Sequence, residues 1–134
     1  MNLYGTYAGY NSATISTAFY VASTVTAINA RDNIFVNSFD NTTVTTDKSY
    51  AINSQAANTA FTDINYNDYY ASGSSGVLGY LGADKETLAA WQAATGKDLN
   101  SVSGYPMFLS DSNLHIDITQ PSPAGNAGQF IATI

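Results

Sequence analysis

Cysteine is absent from this 134-residue sequence, so it can form no disulfide framework, thiolate metal site or cysteine nucleophile. Charge is scarce. Only 10% of residues are ionic, the net charge is -6, and the four basic residues, Arg31, Lys48, Lys85 and Lys97, are scattered along the chain. A nucleic-acid partner needs a basic stripe to neutralise phosphates, so no nucleic acid is expected, and an anionic membrane surface is disfavoured for the same reason. No apolar run is long enough to cross a bilayer, so no membrane insertion is expected. Met1 is followed by Asn-Leu-Tyr-Gly with no basic n-region, and the chain is read as a piece of a longer precursor. His115 is the sole histidine and no Gly-x-Ser-x-Gly occurs, which leaves a serine triad unsupported. Gly73-Ser-Ser-Gly76 is too short for a phosphate cradle.

What the sequence does contain is neutral. Apolar residues make up 45%, and solubility must come from 15 Thr, 14 Ser and 13 Asn. Ten Tyr, six Phe and one Trp argue against disorder, and the length suits one domain. Most of the chain reads as short β-rich runs separated by Asn, Asp, Ser and Gly, for example Ala18-Phe-Tyr-Val21, Thr24-Val-Thr-Ala-Ile28, Asn33-Ile-Phe-Val36 and Tyr50-Ala-Ile52. One segment differs. Asp84 to Gly96 has an N-cap Asp, an acidic first turn, repeated Ala and a terminal Gly, predicting a helix over 84–95 that anchors Leu88 and Trp91 on the body.

The best internal match pairs residues 28–38 with 62–72 at an offset of 34, placing Asn33 with Asn67 and Phe35 with Tyr69. The segment 40–48 is polar apart from Val44 and reads as a loop grown from one turn, leaving a repeat of about 25 residues, in the range of solenoids. In a coil of stacked parallel strands, Asn tolerates left-handed turns and its amide bonds along the stack. Asn33 and Asn67 are therefore placed at such turns, with Phe35 and Tyr69 facing inward.

A family resemblance rests on Asn33-Ile-Phe-Val-Asn37, Asp63-Ile-Asn-Tyr-Asn-Asp-Tyr-Tyr70, Gly76-Val-Leu-Gly-Tyr80, Thr87-Leu-Ala-Ala-Trp-Gln-Ala-Ala-Thr-Gly96, Tyr105-Pro-Met-Phe-Leu109, Leu114-His-Ile116 and Ser122-Pro-Ala-Gly-Asn-Ala-Gly128. In order and spacing these resemble the closing portion of secreted bacterial right-handed parallel β-helix repeat proteins of the pectate-lyase-like kind. The resemblance implies an all-β right-handed parallel β-helix over 1–134, with the helix 84–96 as insertion or cover, at an extracellular or bacterial cell-surface location. The group includes polysaccharide lyases and hydrolases as well as surface proteins with no assigned activity, so the fold is a weak guide to function.

The expected role is a structural or carbohydrate-facing module with polysaccharide as partner and no identified catalytic residue. The alternatives are a fragment of a polysaccharide lyase or glycoside hydrolase whose active site lies in missing turns, and a segment of a protein-binding adhesin. Tyr66, Tyr69, Tyr70, Tyr80 and Trp91 are the candidates for stacking on sugar rings, against the plainer reading that such rings fill a core. Asp63 and Asp68 are the candidate calcium ligands, because hard cations take carboxylate oxygens, yet turn roles suit them as well. Their five-residue separation would put them on opposite faces of a continuous strand, which is wrong for a paired-carboxylate hydrolase. Arg31 is the one basic residue placed to serve as a lyase base, although a lone Arg is more often a surface group. His115 alternates with Leu114, Ile116 and Ile118 and reads as an exposed strand residue. A short solenoid has open ends, so self-association through them is expected.

Overall fold

β-branched and aromatic residues punctuated by Asn, Asp and Gly give short strands, and the computed structural model bears this out over residues 2–7, 14–41, 44 and 46–130, which are those it describes; the side chains of 2–7 and 41 lie outside that description. In chain order the strands and helix are β1 (Asn2–Tyr7), β2 (Ile15–Val21), β3 (Ile28–Arg31), β4 (Ile34–Asn41), β5 (Lys48–Ser54), β6 (Phe61–Asn65), β7 (Asp68–Ala71), β8 (Gly76–Leu81), β9 (Asp84–Lys85), α1 (Leu88–Thr95), β10 (Val102–Ser103), β11 (Phe108–Ser110) and β12 (Asn113–Ile116).

These do not make the single right-handed parallel β-helix that the sequence led us to expect. The strands divide into four small separate sheets, ordered β1-β4-β7-β10, β2-β5-β8-β9, β3-β6 and β11-β12. Two of the pairings, β8 with β9 and β11 with β12, are antiparallel. The departure has a local cause. At Gly82, φ is +67°, a left-handed turn that sends the chain back along β8 as β9 and then into α1, so β6 gains no further strand of its own sheet. Beyond β10 the chain carries Gly104, Pro106, Pro121 and Pro123, and prolines do not extend a ladder.

Where strands pair in parallel, the offset is 33 or 34 residues in every pair but β5 with β8, where it is 27. Ile15 sits beside Lys48, and Phe35 beside Tyr69. In the second of these pairs one ring lies over another, and rings from neighbouring elements extend the stack. Phe19 stacks on Phe35 at 4.9 Å, Phe35 on Tyr69 at 5.7 Å, and Tyr69 leans on Trp91 at 6.3 Å, forming a ring column through the core. Phe35, Tyr69 and Trp91 are buried among Ile52, Phe61 and Ile64. Each such ring contact adds about 0.5–1.5 kcal/mol to what its burial provides.

Helix α1 is shorter than predicted and starts later. Thr87, not Asp84, is its N-cap, with Oγ1 accepting from the Ala90 amide, and Gly96 closes it at φ +66°. Asp84 is held elsewhere: it pairs with Tyr80 and accepts the Tyr50 hydroxyl proton at 2.7 Å. Trp91 is wholly buried, and Leu88 packs at the margin of the core. A Cβ at Gly79 would sit 2.9 Å from Trp91 Cε3, so the strand facing the indole needs glycine there. The buried Asp98 ties this end together, accepting from Trp91 Nε1 and the Tyr69 hydroxyl, each at 2.7 Å, and from Ser101 Oγ.

The loop expected over 40–48 is narrower, because Asp40 belongs to β4 and Lys48 to β5; residues 42, 43 and 45 lie outside the description. Asp47 is buried and accepts from the Thr14 amide at 2.7 Å and its hydroxyl at 2.9 Å. The turn prediction is off by one residue: the left-handed positions are Asp32 and Tyr66, both at φ +57°, rather than Asn33 and Asn67. The asparagines bond along the stack instead. Asn67 Oδ1 accepts from the Asn33 amide and side chain, both at 3.1 Å, its Nδ2 donates to the Ala30 carbonyl at 2.9 Å, and its own amide donates to Ser101 Oγ at 2.8 Å.

Asn67 is fully buried. Asn67→Ala strands the Asn33 amide and the Ala30 carbonyl, and is expected to cost about 2–4 kcal/mol in urea denaturation. A loss under about 0.5 kcal/mol would show that these bonds do not hold the layers together.

Candidate functional site

The turn at Gly82 that ends the parallel run of β2, β5 and β8 also borders a groove. Its walls come from the end of β5 and the turn after it, from the end of β8, from β9 and from α1, and it encloses about 590 Å³. Tyr80, Gln55, Asn58 and Lys85 are among its lining residues. Tyr80 is half-buried, its ring braced at 6.0 Å and 69° against Tyr50. Tyr50 is fixed in turn by its hydroxyl bond to Asp84, whose other oxygen lies 3.3 Å from Lys48 Nζ. Burial, with the Asp84 carboxylate beside it, pushes the Tyr50 hydroxyl well above the usual phenol range, so it stays a proton donor.

The polar groups of the groove are held by local bonds. Gln55 Nε2 donates to Asn53 Oδ1 at 2.8 Å, Lys85 Nζ to the Ala83 carbonyl at 2.9 Å, and Asn58 Nδ2 reaches the Thr95 carbonyl at 3.5 Å. Among the described residues no carboxylate lines the groove.

The five tyrosine and tryptophan candidates are not brought together. Tyr69 and Trp91 have no exposed surface and offer no platform to a sugar; the Tyr69 hydroxyl is raised well above its usual range by burial and by Asp98. Tyr70 is half-buried with its ring 5.4 Å from Tyr105, part of a second aromatic cluster with Phe108. Tyr66 lines a smaller cavity of about 120 Å³ between the turn at Asp32 and the segment 124–128. Tyr80 alone faces the groove.

The candidate calcium ligands also part company. Asp63 in β6 meets Arg31 at 3.3 Å, and Arg31 is further bonded to Asn29 and Gln129, which occupies the residue considered as a lyase base. Asp68 opens β7, beyond the left-handed turn at Tyr66, so the two are not on one continuous strand. It borders the smaller cavity, is 3% exposed, and neither carboxylate oxygen has a hydrogen-bond partner. Burial pushes its carboxyl up to about 6, opposed in part by the nearby Gly104 amide, which does not reach hydrogen-bond geometry. Among the described residues no group of three or more His, Asp or Glu is placed to hold a metal ion. His115 is exposed as expected, but Leu114 and Ile118 beside it are exposed too, so β12 has no buried apolar face.

Gln55, Asn58 and Lys85 were missed by the sequence reading. Gln55 follows β5, Asn58 opens a short 3-10 turn and Lys85 lies in the two-residue β9; no motif links them, and the groove collects them. Comparison with protein-family models, with curated proteins and with solved structures finds no match. The resemblance to pectate-lyase-like proteins thus gains no support, and no family is assigned.

Asp68 makes the stability pH-dependent. Its folded-state pKa of about 6 lies above the ordinary carboxylate value, so the folded state binds the extra proton, and stability falls as pH rises from about 4 through 6. In chelator-containing buffer the loss is expected to be on the order of 2 kcal/mol, and Asp68→Asn should flatten that part of the profile. An unchanged slope in the variant would assign the pH dependence to other groups.

Proposed function

We propose that this chain is a carbohydrate-facing structural module of an exported cell-surface protein, and that the groove at Tyr80 is where it meets sugar. The observation that carries this reading is the braced, half-exposed Tyr80 ring in an open trough of about 590 Å³ with amide and ammonium groups around it. The volume falls in the range of ligand sites. An aromatic face takes the apolar C–H face of a pyranose, carboxamides serve hydroxyls as both donor and acceptor, and the Lys85 ammonium suits a uronate carboxylate. A surface built on Thr, Ser and Asn with little charge supports placement outside the cell.

Hydrolysis at this groove would require a pair of carboxylates, and its lining supplies none. Binding is therefore favoured over hydrolysis at this groove.

A glycan array with neutral and uronate polysaccharides, followed by titration of the hits, tests the reading. Binding is expected without release of new reducing or unsaturated ends. Tyr80→Ala should weaken it by about tenfold or more, equivalent to about 1.4 kcal/mol. Lys85→Gln should weaken uronate ligands more than neutral ones. Silence on every glycan, or binding indifferent to Tyr80→Ala, would remove the proposal; turnover would favour the enzyme.

A further inference from the structure

The sheet β2-β5-β8-β9 has two edges that differ in kind. At one edge lies β9, only two residues long, Asp84-Lys85, both charged. Short, charged edge strands resist pairing with other chains. The opposite edge is β2, seven residues, Ile-Ser-Thr-Ala-Phe-Tyr-Val, with no charge and no proline. Among the described residues β2 pairs on one side only, with β5. Its outer side therefore presents a row of backbone N–H and C=O groups. Ile15 and Tyr20 on this strand are 66% and 58% exposed, and Val25 just beyond it is also exposed.

The core column ends unequally as well. At the far end Tyr69 leans on the buried Trp91 of α1, and the Asp98 bonds lock both rings. At the near end stands Phe19, on the edge strand itself and only partly buried.

We propose that β2 is a dimer seam, across which two copies of this chain meet head to head with β2 pairing antiparallel to β2. A second copy fits this edge because an uncharged strand brings no like-charge repulsion to a self-pairing, even in a chain whose net charge is -6. Head-to-tail growth through this sheet is opposed, because its receiving edge is the short, charged β9. An isologous contact uses the same patch on both partners and closes after one step, so the product is a dimer and not a fibre. β3 contributes less to the seam, because its Arg31 is already engaged with Asp63 and Gln129.

Sedimentation equilibrium of the full chain over a wide concentration range tests this. The mass is expected to rise from 14.2 kDa towards twice that value and stop there. The double variant Ile15→Lys/Tyr20→Lys, which places charge on two exposed positions, should remain monomeric at every concentration with an unchanged far-UV circular dichroism spectrum. Hydrogen exchange gives a second readout that needs no variant: amides of β2 should gain protection with concentration, while those of β9 should not. A wild-type chain that stays monomeric, growth past the dimer, a variant that dimerises as well as the wild type, or concentration-dependent protection at β9 would each overturn the proposal.

Discussion

Parallel pairing that sets Phe35 beside Tyr69 and carries Asn33 beside Asn67, 34 residues on, is the constraint on which the rest of this structure depends. Because Phe35 is locked beside Tyr69 and Asn33 is bonded to Asn67, the stack of these two rings and the bonds of these two amides are consequences of a single register, and Phe19 and Trp91 extend the rings from neighbouring elements. A slip of one residue would exchange the two faces of every strand. It would turn Phe35 and Tyr69 outward and carry charged and amide groups into the core. Burial of the rings and satisfaction of the amides thus act on the same variable, and neither can be met without the other.

The candidate site exists because that register is interrupted. Where Gly82 reverses the chain, β9 and α1 take the space a continuing strand would have used, and the trough beside Tyr80 lies between them and the end of β5. Asp98 makes the interruption stable: a buried carboxylate with three donors from β7, α1 and the turn before β10 holds the indole against the last ring of the column. Asp68, by contrast, is buried without a donor beside the cavity it shares with residues 124–128, and that burial raises its pKa. One carboxylate organises the end of the core, and the other makes it sensitive to pH.

Much of the β-structure was legible in the sequence, and so was the layering of Phe35 with Tyr69, because hydrophobic alternation and side-chain type survive at the 34-residue offset. The single continuous β-helix was not there to be read. Nothing in the one-letter string distinguishes a glycine that ends a parallel run, such as Gly82, from one that a strand tolerates, such as Gly79 beneath Trp91. The helix was legible by its alanines and Gly96, but Asp84 and Thr87 are both good caps, and the choice was made by the tertiary pairing of Asp84 with Tyr80 and Tyr50. For the site, Tyr80 was found among five aromatic candidates, while burial set aside Tyr69 and Trp91; composition cannot tell a core ring from a platform.

The absence of cysteine allows the register to be measured directly. Asn29 of β3 and Asp63 of β6 are paired across the parallel sheet, and neither is buried. Neighbouring strands lie about 4.8 Å apart, within disulfide reach, whereas Asn29 and Asn65 are two residues out of register and about 8 Å apart. The chain carrying Asn29→Cys with Asp63→Cys is expected to cross-link readily under mild oxidation, and the chain carrying Asn29→Cys with Asn65→Cys to remain largely reduced. Equal cross-linking of the two, or preference for the second, would contradict the register and with it the account of the core.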